Sequence, residues 1–206
     1  MAYIGKVPTA VPLTSADLED SIVTSAKITD GTIALADLSA TGTKDATTFL
    51  RGDNTFASAG GTNTPAFEAT LSGGNQTISD NVQTKVQFNN EVFDTDGKYD
   101  NSTNYRFTPG VAGKYFVYLV IGTNSLANAN LQNMYSMIFK NGSFIKTSHF
   151  NFASNNAQFA TGTANAVVTM DADDYIEAFV QMADSSGEGN VTDDEYSTFG
   201  AYRIIE

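Results

Sequence analysis

FNNEVFDTDGKYDNSTNYRFTPGVAGKYFVYL, residues 88–119, decides how the rest of the chain is read. It opens on an apolar strand end at Phe88 and turns through Asp94-Thr95-Asp96-Gly97, where short acceptor side chains and a glycine suit a tight reversal. Pro109-Gly110 and Gly113 bracket a second turn, and then Tyr115 to Ile121 run without a polar side chain apart from the tyrosine hydroxyls. A strand of that composition must be covered on both faces.

Around it, short apolar runs alternate with turn clusters from Ala66 onward, which favours a sandwich. Strands are predicted near 66–71, 82–89, 104–108, 113–122, 133–140, 143–151, 157–160, 163–170, 174–182 and 197–205, and no segment sustains a helical period. Asn141-Gly142 between apolar runs marks a two-residue hairpin, since both positions accept positive φ.

The spacing of Phe88, Asp94, Tyr99, Phe107, Gly113 and Tyr115 resembles the globular head of the complement C1q family, which is related in fold to tumour necrosis factor. Lys140-Asn141-Gly142 is similar to that family's mid-domain hairpin, Asp173-Asp174-Tyr175-Ile176 to its late strand start, and Ser197–Tyr202 to its closing strand. Two features depart from the pattern. The interval from Tyr99 to Phe107 is one residue longer, and Val117 and Leu119 stand where aromatics are usual. The resemblance covers residues 65–206 and implies an all-β, ten-stranded jelly-roll sandwich that assembles as a homotrimer. An unrelated antiparallel sandwich with similar turns is the alternative. On the trimeric reading Phe88, Phe107, Tyr115, Val117, Leu119, Phe199 and Tyr202 line the contact between copies.

Aromatics are unevenly placed: before residue 65 there are Tyr3, Phe49 and Phe56 and no others, so the packed domain is the C-terminal part. Residues 13–40 instead carry a ten-residue echo, in which Leu13, Val23 and Ile33 align, as do Ala16, Ala26 and Ala36, and Leu18, Ile28 and Leu38. A unit this short cannot bury its own apolar face and must stack on neighbouring repeats or sister chains. Thr14 with Asp17 fits a capping box for one helical turn, and Gly31 suits the end of such a turn. A disordered Ser/Thr/Ala-rich leader is the competing reading.

Thr47–Ala57, TTFLRGDNTFA, resembles a joint found in many tailed-phage fibre proteins. Its Arg51-Gly52-Asp53 tripeptide is common by chance and carries no binding role without further context. Ala57–Pro65 has linker composition. The expected organisation is therefore a virion anchor over 1–12, using Tyr3, Ile4, Val7 and Pro8, a repetitive stalk and linker over 13–64, and the head over 65–206.

The chain has 206 residues, 41% of them hydrophobic, and a formal charge of −12. Its scattered Lys and Arg cannot form a stripe that neutralises phosphates, which argues against nucleic acid as a partner. With no cysteine, stability has to come from packing or from partner chains. No signal-peptide pattern and no bilayer-length apolar run is present, so assembly inside a host cytoplasm, without membrane insertion, is expected. Four Asn-x-Ser/Thr triplets, at Asn75, Asn101, Asn141 and Asn190, fall in asparagine-rich turns and decide nothing.

Chemistry is sparse. One histidine, His149, reads as structural, no Gly-x-Ser-x-Gly elbow occurs, and an enzyme is not expected. Asp171, Asp173 and Asp174 are the strongest candidates for a cation, calcium by chemistry, although solvated turn carboxylates explain them as well. Together the two resemblances imply a fibre-type structural protein of a phage virion. Its N-terminus would join tail or capsid proteins, and its trimeric head would present Leu126–Gln132, Ala153–Gln158 and Asp184–Asp194 to a host-surface glycan or protein. A capsid decoration protein with the same head, or a non-viral lectin-like module, are the alternatives.

Overall fold

Where the strands lie follows largely from the alternation of small, branched and aromatic residues with turn clusters. The computed structural model describes Thr14 and residues 24–58, 62–126, 129–193 and 196–204. The chain divides into two compact units, 1–59 and 60–206.

In the first unit, β1 (Thr48–Leu50) and β2 (Phe56–Ser58) form an antiparallel hairpin. Arg51–Asn54 make its turn: Asn54 sits at φ 62°, its N–H donates to the Arg51 carbonyl, and the Arg51 N–H donates to the Thr55 carbonyl. Asp53 accepts the Thr55 hydroxyl and N–H, which holds its carboxyl below the usual range. Upstream, the Thr41 carbonyl accepts from the Phe56 N–H at 2.7 Å. Gly42, at φ 90°, lies so close to the Phe56 carbonyl that a Cβ would overlap it. The decapeptide echo surfaces as two 3-10 turns, Ser25–Lys27 and Leu35–Asp37, that occupy equivalent positions in successive units. In the later one Asp37 accepts from the Ala34 N–H at 2.8 Å, half of a capping box. Thr14 is described but its partner Asp17 is not.

The second unit holds thirteen strands among its described residues: β3 (Ala66–Thr70), β4 (Gln76–Ser79), β5 (Thr84–Lys85), β6 (Asn90–Asp94), β7 (Tyr99–Asp100), β8 (Arg106–Phe107), β9 (Gly113–Ser125), β10 (Leu131–Lys140), β11 (Ser143–Asn151), β12 (Phe159–Met170), β13 (Ile176–Asp184), β14 (Glu188–Val191) and β15 (Thr198–Arg203). One sheet runs β12-β9-β15-β3-β6, with β14 and β4 continuing beside the far end of β9. The other runs β11-β10-β13-β8-β7, with β5 also on β13. All pairings are antiparallel, and the two sheets face each other as a jelly roll.

Four aromatics of residues 88–119, Phe88, Tyr99, Phe107 and Tyr115, converge in the interior. Phe67 stacks on Tyr99 at 4.5 Å and on Phe107 at 4.6 Å, and meets Phe199 edge-on at 5.2 Å. Phe88 packs on Phe199, and Phe107 on Tyr115. Buried hydroxyls need partners: that of Tyr99 donates to the Phe88 carbonyl and that of Tyr115 to the Val111 carbonyl. Burial pushes the Tyr99 phenol well above its ordinary value.

Thirteen strands stand where ten were expected, because two predicted strands merge in β12 and four short ones, β4, β6, β7 and β14, were not predicted. The predicted strand 82–89 is cut short because the chain changes sheets there: β5 pairs with β13, while β6 pairs with β3 in the other sheet. Across the gap the Gln76 side chain stands in for a strand, donating to the Lys85 carbonyl and accepting from the Gln87 N–H, both at 2.9 Å. The predicted breaks around Gly162 do not occur, and β12 runs unbroken. Gly162 is there for space, since a Cβ would come 2.5 Å from Ser136 Oγ and 2.9 Å from Met134 Cε. β4, β6 and β14 are polar strands whose composition resembles loop. The Asn141-Gly142 hairpin forms as expected, with φ 50° and 73°.

Candidate interaction face

β9 alternates strictly from Tyr115 to Ile121. Tyr115, Val117, Leu119 and Ile121 point into the protomer's own core with no exposed surface, while Phe116, Tyr118 and Val120 point out of the sheet. Of the seven residues expected between copies, Phe88, Phe107, Tyr115, Val117, Leu119 and Phe199 are therefore interior residues of one protomer, fully covered by the opposite sheet. Only Tyr202 lies outside, 39% exposed. The second sheet of the same chain already covers the side that the sequence reading assigned to a neighbour.

The outward side of this sheet is where an apolar surface stands uncovered. The register places Val167, Phe116, Tyr202 and Ala66 in one row across β12, β9, β15 and β3. Asn165, Tyr118, Gly200, Glu68 and Phe93 form the next row, which extends onto β6. Phe116 packs against Tyr202 at 5.5 Å and against Tyr118 at 6.4 Å. Val167 is 61% and Phe93 45% exposed. Tyr118 lies flat across β15, over Gly200, and donates to Glu68 Oε2 at 2.7 Å. Burial first, and then the bond to Glu68, push its phenol well above the ordinary value. Phe116 and Tyr118 were missed in the sequence because period-2 alternation gives two faces without saying which one the chain covers itself.

The three predicted recognition loops come together at one end of the sandwich. The Ser125 N–H donates to the Gln158 carbonyl, that of Leu131 to Ala157, and that of Ser185 to Asn130, so the β9–β10, β11–β12 and β13–β14 connections form one rim. At the other end lie the aspartates. Asp174 is engaged by Lys140 Nζ at 2.7 Å, by the Asp171 N–H at 2.7 Å and by the Asn141 amide, which together hold its carboxyl down to about 2. Asp171 and Asp173 are exposed, and among the described residues no three His, Asp or Glu side chains are grouped to hold a metal ion. His149 is exposed on β11, its ring stacked on Tyr135 at 4.0 Å. The anchor residues Tyr3, Ile4, Val7 and Pro8 lie outside the described residues.

Known proteins share this architecture. Eiger, a tumour necrosis factor of S. frugiperda, superposes with a TM-score of 0.50 at 10% identity, over 68% of this chain and 91% of that one. Murine APRIL at pH 5.0 superposes with a TM-score of 0.50 at 11% identity, over 68% and 98%. At such identities the likeness is one of fold. No curated protein matches the chain. The C1q domain family model matches residues 66–204, nearly the whole sandwich, and by that match the chain belongs to the C1q domain family.

Proposed function

We propose that this protein is a fibre-type structural component of a phage virion, with its N-terminus joined to the particle and three copies of its head presented to the host surface. C1q and tumour-necrosis-factor-like domains commonly act as binding and trimerising modules rather than as enzymes. The observation that carries self-association is the outward row of Phe116, Tyr202 and Val167, an apolar face beside the Tyr118–Glu68 bond. An exposed aromatic surface of this kind gains by burial against another copy. The rim formed by the β9–β10, β11–β12 and β13–β14 connections is polar and adaptable, as a recognition surface needs to be. The viral assignment rests on the fibre-like joint at Thr47–Ala57, which folds as the hairpin β1–β2.

Sedimentation equilibrium of the full chain tests the assembly, and a trimer is expected. Immunogold electron microscopy of purified phage particles tests the location. Label at the tail in small multiples of three supports a fibre, label over the capsid lattice supports a decoration protein, and unlabelled particles overturn the viral reading.

A further inference from the structure

Two shallow clefts of about 250 and 260 Å³ abut at the end of the sandwich opposite the loop rim, and Lys98 lines both. Arg106 lines the first, with Tyr99, Asp100, Asn104 and Thr108. Arg203 lines the second, with Thr62, Thr64, Asp96 and Val111.

These three cations differ from the other half-buried ones of the sandwich. Lys85 is paired with Glu177 and Lys140 with Asp174. Among the described residues Lys98, Arg106 and Arg203 form no ion pair, yet both arginines are held in place and Lys98 has a defined neighbour. Arg106 lies on the Tyr175 ring at 4.4 Å. Arg203 donates to the Ala112 carbonyl at 3.1 Å and passes over Gly113, where a Cβ would come 2.8 Å from its Nε. Lys98 lies against Gly110, whose missing side chain leaves its Nζ room. Positioned by a ring, a carbonyl and a glycine turn, the three keep their charge available for a ligand.

Nor do the nearby carboxylates pair with them: Glu177, opposite Arg106 in the register, is taken by Lys85. Asp100 is occupied by the N–H groups of Ser102, Thr103 and Asn104 and by the Asn104 amide. Asp96 accepts the Thr95 hydroxyl and is the one countercharge in the second cleft. Lys98 is shared, so the paired clefts together hold three cations against Asp96 and Asp100, on a chain whose net charge is −12. The remaining polar lining is hydroxyl and amide, suited to vicinal hydroxyls, beside Pro65, Pro109 and Val111 in the second cleft, and each cleft has the room of one sugar ring. Among the described residues no open aromatic face lines the clefts for a base to stack on, since the Tyr99 ring is stacked on Phe67 and that of Tyr175 carries Arg106.

We propose that the paired clefts bind an acidic oligosaccharide, seating ring-borne carboxylates or sulfates against Lys98, Arg106 and Arg203. The site does not depend on the virion reading, since the clefts belong to the head itself.

Calorimetry of the full chain tests it with a heparin-derived hexasaccharide, an oligogalacturonate, neutral maltohexaose and polyaspartate. Saturable binding of either acidic sugar is expected, with the better of the two identifying the anionic group, and with no binding of maltohexaose. Lys98→Gln and Arg106→Gln should each weaken it by about tenfold or more, the scale of a charge-assisted hydrogen bond. Arg106→Lys should restore part of the loss, and Lys146→Gln, the same charge change on exposed β11, should leave binding intact. Absence of binding by both acidic sugars, equal binding of polyaspartate, or cleft variants that bind like the parent while retaining its thermal transition would each overturn the proposal.

Discussion

Tyr118 crosses β15 above Gly200 to place its hydroxyl 2.7 Å from Glu68, and nothing larger than a hydrogen fits between ring and strand. Gly200→Ala would put a Cβ into the Tyr118 Cζ and Oη and turn the ring off the sheet. The expected result is loss of the Glu68 bond, destabilisation by about 1 kcal/mol in urea unfolding, and weakened self-association by sedimentation. Tyr118→Phe should reproduce the stability loss alone, so the pair of variants separates bond from shape.

Adjacent residues on β9 should behave oppositely. Val117→Asp buries an unpaired charge in the protomer core and should unfold the chain, since such a lesion costs about 3 kcal/mol or more. Phe116→Asp places the charge on the outward face, so circular dichroism should report a folded chain and sedimentation a monomer. A folded trimer for Phe116→Asp would move the interface elsewhere.

Acid should act on the turn between β12 and β13. The Asp174 carboxyl is held at about 2 against an ordinary 3.8, so its contribution is present above the ordinary value and lost as pH falls through the window between them. Thermal unfolding measured from pH 5 to about 2 should show a falling Tm for the parent chain. The fall should be shallower in Asp174→Asn, because the Lys140 pairing that titrates has been removed.

Gly162→Ala should overpack the space between the sheets, pressing Ser136 and Met134 at a cost of about 1–3 kcal/mol. Equilibrium denaturation checks it. Full recovery of stability in Gly162→Ala combined with Ser136→Ala would identify the serine as the clashing neighbour.

In the small hairpin, Gly42→Ala meets both a left-handed φ and the Phe56 carbonyl. Backbone amide shifts of residues 41–58 should lose the dispersion of a paired β1–β2, whereas Gly52→Ala, with open space around it, should keep it.

The sequence made the sandwich legible where side chains alone fix the geometry. Phe88, Tyr99, Phe107 and Tyr115 stand at offsets that converge on one aromatic cluster, and Asn141-Gly142 has the backbone freedom its turn requires. It misled where a residue's role depends on something distant. Gly162 reads as a breaker until Ser136 is known to lie above it, and Val86–Asn89 reads as strand until β13 and β3 are seen on different sheets. Six of the seven residues expected between copies lie inside the chain for the same reason. Val117 and Phe116 are equally apolar in the sequence, and only the opposite sheet tells which of them the chain covers for itself.

The ring cluster around Phe67 is closed inside a single chain, so the interior is finished without help from a second copy. On the proposed trimeric reading, assembly joins completed parts. Changes at the exposed Val167, Phe93 or Tyr202 would then vary how copies recognise one another without putting at risk whether any copy folds.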